Sequence, residues 1–151
     1  ARRMQEVLQE HGLDCQVVEL PDSTRTAPEA AAAIGCQVAQ IVKSLVFRGR
    51  HTDRPILVIA SGANRVNEKR LGELAGEPVE KASADFVRER TGFAIGGVPP
   101  LGHAEPLLTF IDQDLLRYDI VWAAAGTPHA VFRLTPSQLI RVAGGKVTPI
   151  T

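Results

Sequence analysis

A chain of 151 residues that is 44% hydrophobic is too apolar to stay disordered and long enough to bury one full core, so a single domain over residues 1–151 is expected. Its 17 basic and 17 acidic residues cancel, which excludes binding to nucleic acid by bulk charge and leaves only local contacts. The apolar runs are strand-sized and the first residues carry no hydrophobic signal core, so neither a membrane span nor a secretory leader is expected and the cytoplasm is the expected location.

From Arg2 to His11, Met4, Val7 and Leu8 recur at helical spacing, and Gly12 is a natural residue to follow a helix. Cys15 to Leu20 reads as a strand broken by Pro21-Asp22-Ser23. Thr26, with Glu29 three residues on, starts an Ala-rich helix that reaches Ile34 and ends at Gly35. Cys15 and Cys36 are neither CxxC-spaced nor accompanied by clustered histidines, which argues against a zinc site or a disulfide framework.

Ile41 to Arg48 is a strand in which Lys43 shares a face with Ile41, Leu45 and Phe47, while Val42, Ser44 and Val46 take the other. An unpaired buried ammonium is costly, so Lys43 either snorkels at a sheet rim or serves a cavity that needs positive charge. A charged connection from Gly49 to Arg54 leads into Pro55 to Ala60, the most plainly buried run of the sequence, and the two strands read as a hairpin. Ser61-Gly62-Ala63-Asn64 then makes a turn. Asn67 caps a helix through Leu74 that Gly76 ends, and Ser83 caps another, Ala84 to Arg90, that Gly92 ends.

The stretch from Thr91 to His103 reads T-G-F-A-I-G-G-V-P-P-L-G-H. Phe93, Ala94 and Ile95 look like a short buried strand. Gly96-Gly97 permits positive φ or close approach of a ligand to the backbone, and Pro99-Pro100 stiffens the exit from the stretch. The stretch is either the floor of a site or a tight turn between strands.

Leu107 to Ile111 is a strand, Asp112 to Arg117 a helical turn and Ile120 to Ala125 another buried strand, followed by the turn Gly126-Thr127-Pro128-His129. Ala130 to Leu134 is a strand, Thr135-Pro136 opens a helix to about Val142, and a last strand lies near Lys146 to Ile150. Hairpin-length links mix with helical ones, so the class is α+β: a mixed, curved sheet with helices packed outside, not a regular βαβ repeat.

Four motifs, V-K-S-L-V-F, P-I-L-V-I-A-S-G, G-F-A-I-G-G-V-P-P-L-G-H and A-A-G-T-P-H, stand in this order and at separations that resemble the YbaK and prolyl-tRNA synthetase editing-domain superfamily. The likeness runs from about Cys15 to the C-terminus. It implies a barrel-like mixed sheet surrounded by helices and a free-standing deacylase of mischarged tRNA, with tRNA for proline carrying Ala, Cys, Ser or Thr as the candidate substrates. The partners implied are the acceptor end of aminoacyl-tRNA and prolyl-tRNA synthetase; no metal and no cofactor is implied.

Carried onto this sequence, the resemblance assigns catalysis to Lys43, Gly96 and Gly97, and substrate contacts to Ser44, Val98, Pro99, Pro100, Gly126, Thr127 and His129. It brings the lysine, the G-x-x-x-P loop (Gly96 to Pro100) and the G-x-x-H turn (Gly126 to His129) to one pocket. Ester hydrolysis needs a positioned water, donors for the developing oxyanion and a grip on the nucleotide end. Backbone N–H groups around Gly96 and Gly97 suit the acyl end, and Lys43 suits the nucleotide end. In the family a hydroxyl of the terminal adenosine assists the water, so no side-chain nucleophile is required.

Ser44 stands where some relatives carry threonine, which leaves the amino-acid preference open. His103 is expected at the rim of the site, His11 and His51 have no constellation around them, and Arg48, Arg50 and Arg54 are the expected phosphate contacts. The alternative function is a non-catalytic module that binds the same nucleotide end; a regulatory domain unrelated to tRNA leaves a lysine in an apolar strand unexplained.

Overall fold

The computed structural model describes residues 2–20, 26–127 and 129–151. The strand break expected at residues 21–23 and the proline at position 128 lie outside them. In sequence order the elements are α1 (Arg2–Glu10), β1 (Val17–Glu19), α2 (Ala27–Ile34), β2 (Ile41–Gly49), β3 (Pro55–Ser61), α3 (Glu68–Ala75), β4 (Val79–Lys81) and α4 (Ala84–Thr91), then β5 (Leu108–Asp112), β6 (Val121–Ala124), β7 (Ala130–Leu134), α5 (Pro136–Ala143) and β8 (Lys146–Thr148).

Four helices begin and end where local chemistry dictates. The side chains of Thr26, Asn67, Ser83 and Thr135 each accept an N–H of the first turn, and Gly35, Gly76, Gly92 and Gly144 close the far ends in the left-handed conformation. At α2 the Glu29 carboxylate accepts the Thr26 hydroxyl at 2.7 Å, tying the cap to the first turn.

The eight strands of the described residues form one mixed sheet in the order β1-β7-β6-β2-β3-β5-β8, with β4 on β2. β1 and β8 are the two ends of that path, so the barrel-like sheet stays open. The hairpin β2–β3 is antiparallel, as the charged link between the strands required, whereas β2–β6, β3–β5 and β5–β8 are parallel. Every residue of β3 is buried, and a fully buried Leu or Ile contributes about 1.5–3 kcal/mol, so this strand anchors the fold.

The two faces of β2 part as alternation demands. Val42 and Val46 join Leu57, Ile59, Ile111 and Phe132 in the largest apolar cluster. Phe47 and Leu45 pack with Ile56, Val58 and Leu71 beneath α3, and Ile41 packs with Ala27, Ala30 and Ala31 of α2. Lys43 therefore lies on the face that α2 covers at one end and α3 at the other.

Along one edge β2 pairs with β3 from Val42 to Arg48. Along the other, β6 takes only Ile41 and Val42, and β4 takes only Phe47 to Gly49. Among the described residues, Lys43, Ser44 and Leu45 have no strand partner on that edge. The even-numbered residues direct their backbone groups toward it, as Val46 does in accepting the N–H of Ala82, so the N–H and C=O of Ser44 open into the gap.

Two expectations change. Phe93, Ala94 and Ile95 form no strand: the Thr91 hydroxyl accepts the N–H of Phe93 at 3.0 Å, and Ala94 C=O accepts the N–H of Gly97 at 3.0 Å, which coils the segment. Ile95, expected to be buried, is 52% exposed. β4 is a three-residue strand that no sequence run announces. No helix among the described residues is long and apolar enough to cross a membrane.

Candidate active site

A cleft of about 690 Å³ opens at the divided edge of β2. Lys43, Ser44 and Leu45 form its floor, the turn after β3 and the start of α3 one wall (Asn64, Arg65, Glu68), and Ile95, Gly96 and Val98 the opposite wall, with Lys81 at one side. A second cavity of about 200 Å³ shares Lys43, Ser44, Leu45, Ile95, Gly96 and Val98 and continues between α2 and β6, against Ala27, Ala30, Trp122, Ala123 and Ala124. The first is mixed in character, whereas small apolar side chains wall much of the second.

Lys43 is half-buried, and its ammonium donates to the backbone carbonyl of Asn64 at 2.8 Å. Burial pushes its pKa below the ordinary lysine value, Arg65 pushes the same way, and Asp112 pulls weakly against both. The Ser44 hydroxyl is buried and has no hydrogen-bond partner among the described residues. A buried polar atom left unpaired beside a cavity is a ready contact for a ligand.

The 96–100 loop is held from behind. Gly96 takes the left-handed conformation at φ 86°, which turns the backbone over the gap. Gly97 gives its N–H to Ala94 and packs its bare Cα against the backbone of Thr127, so it acts through its missing side chain. The ring of Phe93 approaches Gly126 in the same way. Val98, Pro99 and Pro100 are buried, and only Val98 of the three lines the cleft.

His103 is not at the rim. It is half-buried beneath the loop, where its Nε2–H donates to Pro99 C=O at 2.7 Å and its ring meets Phe93 edge-on. Burial holds its pKa below the usual histidine value, which keeps the ring neutral.

The structure thus brings Lys43, Ser44, Gly96 and Val98 to one cleft. Gly97, Gly126 and Thr127 form the layer behind, and Pro99 and Pro100 stiffen its exit. His129 is exposed, lies outside both cavity walls and meets the residue just after β1 through its backbone carbonyl, which accepts the N–H of Leu20 at 2.8 Å.

The expected phosphate contacts are spoken for. Arg48 pairs with Asp53 and Glu80, Arg50 with Glu80, and Arg54 with Glu77. Arg65 and Lys81, both exposed, line the cleft and make no ion pair among the described residues. Two residues that sequence reasoning passes over bear on Lys43: the Asn64 carbonyl accepts its ammonium, and the Asp112 carboxylate attracts it; the sequence marks Asn64 only as part of a turn and Asp112 only as the start of one. Both cysteines lie outside the cavity walls, and burial raises the pKa of each thiol.

A family model described as an aminoacyl-tRNA editing domain matches residues 21–142. The Bacillus subtilis protein YwhH is 35% identical over 131 residues, a match covering 87% of this chain and 83% of YwhH. A candidate Cys-tRNA(Pro)/Cys-tRNA(Cys) deacylase from Enterococcus faecalis is 24% identical over 127 residues, covering 83% of this chain and 77% of that protein. Among solved structures, the crystal structure of a candidate trans-editing enzyme for prolyl-tRNA synthetase superposes with a TM-score of 0.93 at 50% identity, covering 99% of this chain and 95% of that one.

Proposed function

The chain belongs to the aminoacyl-tRNA editing domain family, and from that premise we propose that residues 1–151 act as one trans-editing deacylase, which hydrolyses the ester of a small amino acid mischarged onto tRNA for proline. The observation that carries this reading is the pair of joined cavities meeting over the open edge of β2. A roomy, partly polar cleft beside a narrow, largely apolar one suits a molecule with a nucleotide at one end and a small side chain at the other.

In this reading the terminal adenosine occupies the larger cleft, where the Lys43 ammonium offers donors to ribose or phosphate oxygens. The amino-acid side chain enters the smaller cavity, walled by Ala27, Ala30, Ala123 and Ala124. The ester then lies over Ser44. The Ser44 C=O and hydroxyl suit the substrate's α-ammonium, and the N–H of Gly96, which has no intramolecular partner among the described residues, faces the developing oxyanion. The neighbouring ribose hydroxyl orients the attacking water. The Ala-walled cavity acts as a sieve that admits small acyl groups and refuses prolyl. A module acting on charged tRNA works in the cytoplasm, beside prolyl-tRNA synthetase.

The test is a panel of tRNA(Pro) esters carrying alanine, cysteine, serine, threonine and proline. Release of one or more small amino acids well above proline is the expected result. Tight binding with no release from any ester would assign a binding module instead.

A further inference from the structure

Both donors of the Asn64 side-chain amide are committed. Its two amide protons go to two different carboxylates, Asp112 Oδ2 and Asp114 Oδ2, each at 2.8 Å. Asp112 is 1% exposed and spends its remaining capacity on backbone donors, Ser61 N–H at 3.0 Å and Asp114 N–H at 2.9 Å. The Ser61 hydroxyl donates to Ala39 C=O at 2.8 Å, and Asn64 N–H closes the turn on Ser61 C=O at 3.0 Å. The four-residue turn after β3 is thus fastened to the end of β5 by side chains 48 and 50 positions away in sequence. Within this fastened turn the backbone carbonyl of Asn64 accepts the Lys43 ammonium.

We propose that Asn64 and Asp112 are positioning residues for Lys43, holding the Asn64 carbonyl where it keeps the ammonium at one place on the cleft floor. The proposal rests on the deacylase reading for the task of Lys43, but not for its position. A flexible four-carbon stem would otherwise sample much of a cleft this size, and a misplacement of about 1 Å can cost roughly 100-fold in rate. An amide suits the task at position 64, because it can donate to both carboxylates. A carboxylate there would face two others, and an apolar residue would leave the buried Asp112 short of a donor. The charged groups around the ammonium are Arg65 on the same turn, Asp112 at the end of β5, and Glu68 and Lys81 on the cleft walls.

The sequence has four lysines, Lys43, Lys69, Lys81 and Lys146, so 13Cε-lysine labelling gives a spectrum in which Lys43 is assigned through Lys43→Arg. The Lys43 signal is titrated in the wild type, in Asn64→Ala and in Asp112→Asn, beside thermal unfolding and the kcat and KM for alanyl-tRNA(Pro). Both variants are expected to shift the Lys43 signal, Asp112→Asn moving its titration midpoint down because the attraction of the Asp112 carboxylate is gone. Both should lose roughly tenfold or more in kcat with KM nearly unchanged.

A folded Asn64→Ala whose Lys43 signal and midpoint match the wild type overturns the proposal, whatever happens to activity. Should Asp112→Asn fail to fold, Asn64→Ala decides alone, since Asn64 sits at a half-buried turn. If the wild type cleaves no ester, the deacylase reading falls while the Lys43 signal still decides the positioning claim.

Discussion

Gly97 lies flat against Thr127: a Cβ at position 97 would stand 3.1 Å from both the Cα and the carbonyl carbon of Thr127, and 3.2 Å from Gly126 C=O. All three neighbours are backbone atoms, so none can swing aside. Gly97→Ala must push the 96–100 loop and the 126–129 turn apart by a few tenths of an ångström. Overpacking of this kind costs about 1–3 kcal/mol. Kinetics should show kcat reduced roughly tenfold with tRNA binding little altered, since in the proposed pose the displaced loop faces the ester and not the phosphates.

Lys43→Ala should reduce single-turnover deacylation by about 100-fold, the order expected for loss of one well-placed donor. Its melting temperature should hold or rise, because the half-buried ammonium is less stable in the cleft than in water. Near-normal hydrolysis with a large drop in melting temperature would make Lys43 a structural residue.

Salt dependence separates the two groups of basic residues. Arg65 and Lys81 are open at the cleft mouth, whereas Arg48 is held by Asp53 and Glu80. In a plot of log affinity for aminoacyl-tRNA against log salt, Arg65→Ala and Lys81→Ala should each lower the slope by about 1. Arg48→Ala should leave the slope as it was; the reverse pattern would move the phosphate track to the β2–β3 hairpin.

Glu77 governs the acid limb of stability. Its carboxylate accepts the hydroxyl of Thr52 at 2.6 Å and the N–H groups of Thr52 and His51 at 3.0 and 2.9 Å, with Arg54 beside it. These contacts, the Thr52 hydroxyl foremost, bring its pKa down from 4.5 to about 2. A depressed carboxylate contributes stability that is complete above its unfolded pKa and drains away as pH falls toward the folded one, here between 4.5 and about 2. Glu77→Gln should therefore be less stable at pH 7 and show a flatter decline over that window in urea unfolding at a series of pH values. The carboxylate also accounts for Gly49, where a Cβ would lie 2.5 Å from Glu77 Oε1.

The proposed sieve can be tightened from one side. Ala124 is half-buried and lines the narrow cavity. Ala124→Leu should reduce the rate with threonyl-tRNA(Pro) far more than with alanyl-tRNA(Pro), read as the ratio of kcat/KM values. An equal loss on both esters would place the acyl group elsewhere.

The features legible in the sequence are those that local chemistry decides. Thr26, Asn67, Ser83 and Thr135 announce their helices because a cap is written within four residues, and Pro55 to Ala60 announces a buried strand because nothing in it tolerates water. The alternation that puts Lys43 with Ile41, Leu45 and Phe47 holds for the same reason. The features that escape it are decided at a distance. Phe93 to Ile95 is apolar enough for a strand, but Ile95 has a cavity instead of a neighbouring strand to meet. β4 exists only because β2 offers it three partners. The bonds from Asn64 to Asp112 and from Arg48 to Glu80 span 48 and 32 residues, and no spacing rule reaches that far.

A strand edge left open in the middle of a sheet is a liability as well as a site. The N–H and C=O groups of Ser44, without a strand partner among the described residues, are a template on which another extended segment can add itself, the usual origin of edge-to-edge aggregation. Here the 96–100 loop stands across the opening, and its left-handed Gly96 and buried prolines cannot continue as a strand. Changes that loosen this loop therefore threaten solubility before they threaten the fold, and a low yield of soluble protein from such variants would report exposure of that edge, not loss of the core.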